Sequence, residues 1–295
     1  MLRFFKFAII FSVVAAIVAV AGVAWWSQKP LDLNLSNEQV LLDLPVPPNA
    51  TAMTVARSLN EAGVSTPTRV LFEWFRWSGK SRDIKAGSYE LSPGITPTQL
   101  VDMLVQGKQA LRKVTLIEGW TFKQVREALA LANDLQPVTD SWQAERIMDA
   151  LGRSGQHPEG RFFPDTYIYP KHSDDLNVLR QAAKLMDKQL DIAWAKRDKR
   201  TPVNSRDELL ILASIVEKET NHTPDRPLVA GVFANRLRIG MRLQTDPTVI
   251  YGLGDDFDGD LRRIHLREDT PYNSYTRAGL PPPPISIPGA ASLQA

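Results

Sequence analysis

The sequence predicts an α+β protein with three parts: an N-terminal transmembrane helix, a small α/β subdomain and a larger mixed α/β domain. Three observations support this. Residues 7–26 carry no charge, short helical and alternating patterns separated by Gly and Pro occupy residues 49–110, and longer helical patterns follow across residues 111–295. A length of 295 residues is also typical of about two folded domains.

The first element is the apolar run "FAIIFSVVAAIVAVAGVAWW", residues 7–26. As a helix it would span roughly 30 Å, the thickness of a bilayer's hydrocarbon core. Arg3 and Lys6 precede the run. Because positive charge is retained on the cytoplasmic side, we expect residues 1–6 in the cytoplasm and everything after Lys29 on the opposite side of the membrane.

A cleaved signal peptide is the alternative to an anchor. Ala19-Val20-Ala21 resembles a cleavage site, but the apolar run is long for a signal peptide. Trp25 and Trp26 are residue types enriched at the membrane interface. We therefore predict that residues 1–29 form an uncleaved, single-pass anchor.

The next segment, residues 30–48, contains three prolines and is predicted to be a stiff linker. The small subdomain follows at residues 49–110, with three helices and one short strand. Glycines at the ends of the three helical patterns predict where those helices stop, namely Gly63, Gly79 and Gly107.

Four aromatic residues lie close together in the second of these helices: Phe72, Trp74, Phe75 and Trp77. Such a cluster could stack on sugar rings. Aromatic residues at helical spacing more often pack in a core, and we favour that interpretation.

The larger domain is predicted to begin with a strand in "KVTLIEG". The helical patterns that follow are predicted at residues 121–132, 174–197, 205–220 and 225–239. The segment 240–289 is rich in Gly, Pro and Asp, and long irregular segments in a compact domain commonly carry function. We therefore expect this segment to form the rim of a substrate site.

Composition excludes several functional classes. The net charge of +2 gives no basic surface for nucleic acid, and the absence of cysteine removes disulfides and thiolate chemistry. Four scattered histidines lack metal-ligand spacing, and Glu219 with His222 is a single E-x-x-H pair where a di-iron site needs two. Residues 255–260, "DDFDGD", lack the EF-hand's terminal Glu and are predicted to form a polar turn. No metal and no cofactor is predicted.

Two glutamates end the apolar run "ILASIVEKET", and their positions on a helix differ. Residues two apart lie about 200° from each other around the axis, so Glu217 and Glu219 face different surroundings. Glu219 continues the apolar stripe of Leu212 and Ile215, where desolvation favours a protonated carboxyl near neutral pH. We therefore predict Glu219 as a general acid and Glu217 as structural, the alternative being a solvated helix end for both.

Four longer blocks resemble the YceG-like family, the endolytic murein transglycosylases of bacterial cell envelopes. The blocks occur in the family's order: "EGRFFPDTY" (159–167), "ASIVEKET" (213–220), "VFANRLRIGMRLQTDPTVIYG" (232–252) and "PYNSYTRAGLPPPPISIPG" (271–289). The resemblance implies an inner-membrane anchor, a LysM-like subdomain at residues 49–110 and a periplasmic catalytic domain. It further implies cleavage of the MurNAc-β-1,4-GlcNAc bond in nascent peptidoglycan strands, which leaves 1,6-anhydro-MurNAc ends.

The resemblance also implies roles for individual residues. The second Glu of the family's E-K-E triplet is the catalytic acid/base, which is Glu219 here, while Gln244, Asp246, Asn273 and Tyr275 would line the cleft and bind substrate. One carboxyl suffices when the sugar's own 6-hydroxyl attacks, since the same group donates a proton and later accepts one. Asp246 could instead form a turn or helix cap before Pro247.

The sequence departs from the family pattern in two places. A proline stands in residues 280–289 where glycine is common in the family. The family's domain usually continues beyond residue 295, so the resemblance implies a catalytic domain that is either truncated at the C-terminus or naturally short. Two other functions stay open: a non-catalytic peptidoglycan-binding scaffold, and a muramidase-type hydrolase using Glu219 with Asp246. Peptidoglycan synthases as partners are implied by the resemblance alone.

Overall fold

The computed structural model describes residues 2–35 and 40–295 and divides into two compact units, Met1–Leu111 and Arg112–Ala295. Both units contain helices and short strands, which agrees with the predicted mixed α/β class. Residues 36–39 of the predicted linker lie outside the described residues. So do the side chains of Arg3 and Lys6, on which the predicted membrane orientation depends.

Over residues 2–35 and 40–110, the first unit contains four helices and two strands. They are α1 (Leu2–Trp26), β1 (Leu42–Val46), α2 (Ala52–Ala62), α3 (Thr68–Trp77), β2 (Gly87–Leu91) and α4 (Pro97–Gln106). The two strands pair antiparallel, with Leu44 opposite Tyr89. Within the part of the chain that the structure describes, α1 is the one helix long and apolar enough to cross a membrane, with a mean hydropathy of 2.4 over Ile9–Trp26.

Helix ends in this unit follow the predicted glycines. α2 stops before Gly63 and α4 before Gly107, where the backbone has φ values of 120° and 71° that favour glycine. At the start of α4 the Thr96 hydroxyl accepts from the backbone N–H of Gln99, whose side chain accepts from the Thr96 N–H. This reciprocal capping satisfies two donors that the helix itself cannot.

The predicted linker at residues 30–48 needs correction, because two parts of it are buried in the first unit. Leu31 is buried, and β1 alternates buried and exposed residues, with Leu44 fully buried. Pro45 occupies an exposed position of β1. In a two-stranded sheet both strands are edges, so a proline can be accommodated where a central strand would exclude it.

The second unit contains two strands and seven α-helices among the described residues. They are β3 (Leu111–Thr115), α5 (Phe122–Ala130), α6 (Ala144–Ala150), β4 (Thr166–Pro170), α7 (Asp175–Lys196), α8 (Arg206–Glu219), α9 (Arg226–Arg238), α10 (Asp246–Leu253) and α11 (Ala290–Gln294). β3 pairs with β4. The sequence predicts β3, α5, α7, α8 and α9 to within a few residues, and it misses α6, β4, α10 and α11.

Helix α8 is the central element of the second unit. Every residue from Leu209 to Glu217 is buried, so the helix is covered on all sides. The segment before α11 runs along it: the backbone N–H of Ile285 donates to the Ser214 hydroxyl at 3.0 Å, and Ser286 donates to the Ser214 carbonyl at 3.1 Å. These buried polar contacts fix the C-terminal segment against α8.

The burial of β1 leads to a test of its place in the core. Replacing Leu44 by Ala should lower the free energy of unfolding by about 2–5 kcal/mol, because a fully buried leucine leaves a cavity. Leu41, which is 38% exposed and directly precedes the strand, is the matched control and should cost less than about 0.5 kcal/mol. Urea unfolding of the full chain in detergent measures both. Equal losses would show that residues 42–46 are a connection and not a core strand.

Candidate active site

Glu219 is the last residue of α8, and its side chain is exposed. The expectation that apolar side chains enclose this carboxylate is therefore wrong. The apolar stripe does not distinguish the two glutamates, because α8 is buried on every side up to Glu217. Position along the helix distinguishes them: Glu219 emerges at the end, while Glu217 lies inside the unit with 3% of its surface exposed.

The Glu219 carboxylate is held on one side by a hydroxyl. Thr245 donates from Oγ1 to Glu219 Oε2 at 2.6 Å, and the described residues offer no hydrogen bond to Oε1. Thr245 is buried and directly precedes α10. One carboxylate oxygen is therefore oriented and the other remains accessible to a ligand.

Thr245 is itself fixed by a buried group of hydroxyls. Its backbone N–H donates to Ser274 Oγ at 3.0 Å, and its carbonyl accepts from Thr248 Oγ1 at 2.8 Å. The hydroxyls of Thr248 and Ser274 lie 2.8 Å apart. This cluster joins the start of α10 to the loop around residue 274, so the donor to Glu219 has little freedom to move.

Two of the predicted substrate-binding residues contact each other beside this cluster. The Tyr275 hydroxyl donates to Asp246 Oδ1 at 2.5 Å, and Asp246 is exposed at the first turn of α10. Burial, the hydrogen bond to Asp246 and the charge of Glu219 raise the pKa of Tyr275 to about 12. Tyr275 is therefore a hydrogen-bond donor at neutral pH, and it lies close enough to Glu219 for that carboxylate's charge to raise its pKa.

Gln244 and Asn273 occupy different environments. Gln244 is exposed, with a positive φ of 51°, and its N–H donates to the Ser274 carbonyl at 3.1 Å. Asn273 is fully buried, and its side-chain Nδ2 donates to the backbone carbonyls of His265 and Glu268. Its side-chain Oδ1 accepts from the backbone N–H of Tyr275 at 2.9 Å. Its amide is therefore used within the loop, which corrects the expectation that Asn273 contacts substrate.

Glu217 forms a buried ion pair that sequence reasoning did not identify. Arg226, the first residue of α9, donates from Nη2 to Glu217 Oε1 at 2.8 Å, and both side chains are nearly inaccessible to solvent. Glu217 Oε2 accepts from the backbone N–H of Gly289 at 2.9 Å. Arg226 also reaches the half-exposed Glu118 at 3.4 Å. Glu217 is thus bonded directly to two other segments, and Arg226 links it to a third through Glu118. These contacts favour the structural role predicted for Glu217.

Glu159 is a second buried carboxyl that the sequence analysis did not single out. Its oxygens accept from the backbone N–H of Phe122 at 2.9 and 3.1 Å, and Oε2 accepts from the Tyr251 hydroxyl at 3.1 Å. Burial raises the pKa of Glu159 to about 7, against the opposing effect of these hydrogen bonds. Its place at the start of "EGRFFPDTY", beside two phenylalanines, is the signal that could have identified it.

The predicted rim at residues 240–289 includes α10 as well as irregular chain. It supplies Thr245, which donates to Glu219, and Tyr275, whose pKa the charge of Glu219 raises, and Gln244 and Asp246 flank Thr245 in the chain. Among residues 2–35 and 40–295, no group of three or more His, Cys, Asp or Glu side chains is arranged to hold a metal ion.

Comparison with known proteins gives consistent matches. A family model described as the YceG-like family matches residues 44–295. An endolytic murein transglycosylase of Bacillus subtilis strain 168 is 28% identical over 295 aligned residues, covering 94% of this chain and 81% of that protein. One from Streptococcus pneumoniae strain R6 is 26% identical over 326 aligned residues, and the match covers 98% of this chain but 58% of that protein.

A solved structure also matches. The 2.6 Å crystal structure of a YceG-like protein from Listeria monocytogenes has a TM-score of 0.52 and 28% sequence identity. The match covers 86% of this chain and 89% of that one. The likeness therefore extends over most of both chains.

The Glu217–Arg226 pair predicts a large effect of removing one partner. Arg226→Met should lower the free energy of unfolding by about 3–5 kcal/mol, because it leaves a buried carboxylate without its cation. Arg206→Met is the matched control: it breaks the exposed pair with Asp191 and should cost at most about 1 kcal/mol. Adding Glu217→Gln to Arg226→Met should recover part of the loss. Chemical denaturation of the four proteins would contradict this account if the two arginine variants lost equal stability.

The environment of Glu159 predicts a pH dependence of stability. Its pKa rises from an ordinary 4.5 to about 7, so the folded state keeps a proton that the unfolded state releases between these values. The free energy of unfolding should therefore fall as pH increases from about 4.5 to 7, by on the order of 3 kcal/mol, and level off above. Glu159→Gln should remove this slope.

Tyr251 supplies the matching variant. Tyr251→Phe removes a hydrogen bond that lowers the pKa of Glu159, so the slope should extend to higher pH. Urea unfolding of the three proteins across pH 4–9 measures the effect. The same slope in wild type and Glu159→Gln would rule out Glu159 as its source.

Proposed function

Because this chain belongs to the YceG-like family, we propose that it is an endolytic murein transglycosylase, a lyase that acts on peptidoglycan. The observation that carries the proposal is the environment of Glu219. Its carboxyl lies at the exposed end of a buried helix, with one oxygen held by Thr245 and the other open to a ligand. That is the arrangement a proton-transferring group needs.

The bond we propose to be cleaved is the β-1,4 link between MurNAc and GlcNAc. Glu219 donates its proton to the glycosidic oxygen as the bond to the anomeric carbon breaks. The 6-hydroxyl of the same MurNAc then attacks that carbon, and its proton returns to Glu219. The products are a 1,6-anhydro-MurNAc end and a GlcNAc end with a free 4-hydroxyl, and no water is consumed.

Burial in the free protein does not prepare Glu219 to donate, because its side chain is exposed. We propose that the bound glycan strand supplies the desolvation by covering the carboxyl, which would favour its protonated form. Thr245 continues to donate to Oε2, which leaves Oε1 to carry the proton toward the glycosidic oxygen. The substrate thus completes the environment that general-acid catalysis requires.

The surrounding polar residues have separate proposed roles. Tyr275, Asp246 and Gln244 hydrogen-bond the hydroxyl and N-acetyl groups of the strand. Asn273 does not contact the sugar, and its Oδ1 positions Tyr275 by accepting from the Tyr275 backbone N–H. Asp246 shares its Oδ1 with Tyr275, so it acts as an acceptor within a pair.

Two other functions remain to be tested against this one. A muramidase-type hydrolase would need a second carboxylate as nucleophile or base, and Asp246 is the candidate. A non-catalytic scaffold would need no oriented carboxyl. In this chain, however, the hydroxyls of Thr248 and Ser274 fix Thr245, which in turn orients the carboxyl of Glu219. The transglycosylase accounts for Glu219 without a second free carboxylate.

We further propose that α1 anchors the protein in the bacterial inner membrane, with residues 1–6 cytoplasmic and the second unit periplasmic. The length and hydropathy of Ile9–Trp26 support the span. The first unit would be a LysM-like module that binds glycan weakly, and peptidoglycan synthases would be partners that supply nascent strands. Cleavage of such strands would end their elongation.

The test of Glu219 is its replacement by Gln, which keeps the shape and removes the transferable proton. Turnover should fall by at least about 10²–10⁴-fold, while the fold and glycan affinity survive. Glu217→Gln is the control two residues away: it should lower stability through the loss of charge opposite Arg226 but keep turnover per folded molecule within about tenfold. Asp246→Asn should weaken activity without changing the product.

Mass spectrometry of digested, uncrosslinked strands measures the outcome, with circular dichroism to confirm folding. Anhydro ends in every active variant support the proposal. Reducing ends would indicate the hydrolase, and no cleavage by the wild-type chain would indicate the scaffold. Full activity in folded Glu219→Gln would refute the assignment of the acid.

A further inference from the structure

Helix α3 has an apolar face that the first unit does not cover. Phe75 is fully buried, as the core interpretation of the aromatic cluster predicts, but Trp77 is 64% exposed and Val70 44% exposed. Val70, Trp74 and Trp77 follow the spacing i, i+4, i+7 and therefore share one side of the helix. Trp77 and Val70 therefore extend the half-buried Trp74 into an exposed apolar patch.

This face of α3 lies next to α1, because direct contacts hold the C-terminal end of α1 against the rest of the first unit. The Trp26 ring meets Trp74 edge to face, with 5.9 Å between centroids. The buried Ser27 carbonyl accepts from the N–H of Thr98 at 3.3 Å and from its hydroxyl at 3.0 Å. Trp26, the last residue of α1, is therefore fixed to α3, and Ser27, which follows it, is fixed to α4.

Between α1 and α3 lies an open, almost wholly apolar groove of about 330 Å³. Ala19, Gly22 and Val23 form one wall, and Val70, Trp74 and Trp77 form the other. Gly22 has no atoms within 4 Å of its missing side-chain position, which leaves the groove open there. The polar lining residue, Glu73, forms an ion pair with Arg76 at 3.2 Å.

The position of the groove along α1 indicates whether water or lipid faces it. Ala19 precedes Trp26 by seven residues, or roughly 10 Å along the helix. If Ile9–Trp26 spans the membrane, as proposed above, this wall lies within the outer part of the bilayer. A groove open at that depth faces acyl chains and not water.

We propose that α3 lies in the outer surface of the membrane as an interfacial helix, with the α1–α3 groove filled by lipid acyl chains. Trp77 and Val70 enter the acyl region, while the exposed Arg69 and Arg76 reach the headgroups. Tryptophan is enriched at this level of the bilayer. The inference rests on the proposed span of α1 and adds a second membrane contact that holds the first unit against the lipid.

Sugar stacking on Trp77 is the competing use of the same ring. A sugar site combines an aromatic platform with free polar groups for the hydroxyls. The groove beside Trp77 is lined by Val70, Trp74 and the apolar wall of α1, and the carboxylate that also lines it, Glu73, is already paired with Arg76. The continuity of this face with an apolar helix favours lipid.

The absence of cysteine allows a clean test with single-cysteine variants of the full chain. Val70→Cys and Trp77→Cys would carry a nitroxide label, in protein reconstituted into phosphatidylethanolamine/phosphatidylglycerol vesicles. Electron paramagnetic resonance then compares collisions with oxygen, which concentrates in lipid, and with a water-soluble nickel chelate. Labels at 70 and 77 should favour oxygen severalfold. Leu131→Cys, an apolar residue that is 84% exposed in the second unit, is the control and should favour nickel.

A label at Val14 within α1 separates failure of this inference from failure of the proposed span. Lipid-like accessibility at 14, with water-like values at 70 and 77, would overturn the interfacial helix while leaving the anchor in place. Water-like values at all three positions would overturn both. Shielding of the Trp77→Cys label by added glycan strands, and not by lipid, would assign that position to sugar binding and also overturn the inference.

Discussion

The buried ion pair between Glu217 and Arg226 is the interaction on which the second unit depends. It joins the end of α8 to the start of α9, and through the Gly289 N–H it also holds the C-terminal segment. Burying two charges costs several kcal/mol per ion unless each is paired and hydrogen-bonded. Glu217 meets that condition, because each of its oxygens has a partner, whereas Arg226 is paired through Nη2 and its buried Nε has no hydrogen-bond partner among the described residues. The contacts from two segments leave α8 little freedom to shift or unwind at this end.

This constraint explains how two glutamates two residues apart take different roles. Glu217 is the last buried residue of α8 and is used for structure, while Glu219 follows where the helix reaches solvent. Because the buried residue is fixed, the exposed one has a defined position. The hydroxyls of Thr245, Thr248 and Ser274 fix the other side of the site, so the carboxyl is held between a rigid helix end and a rigid loop.

Much of the fold follows from local sequence patterns. The long periodic helices α7, α8 and α9 and the glycine stops at Gly63 and Gly107 depend on neighbouring residues, and they are predicted correctly. β1 is missed because Pro45 within it and two prolines directly after it are typical of a linker, and only its pairing with β2 reveals a strand. The pairing of Arg226 with Glu217 could not be predicted, and neither could that of Tyr251 with Glu159, because tertiary packing brings the two residues of each pair together. The sequence predicts Glu219 as the general acid, but the apolar surroundings predicted for it are wrong. A stripe of apolar residues along a helix does not indicate where the helix ends and its side chains reach solvent.

The most direct test of the account is the structure of the Glu219→Gln chain with an intact glycan strand bound. The account predicts that the side chain of residue 219 lies within about 2.6–3.2 Å of the scissile glycosidic oxygen, the distance that proton transfer requires. Thr245 should still donate to the opposite side of that side chain, and the 6-hydroxyl of MurNAc should face the anomeric carbon. A strand bound with Asp246 or Glu159 at the glycosidic oxygen, and residue 219 turned away, would contradict it.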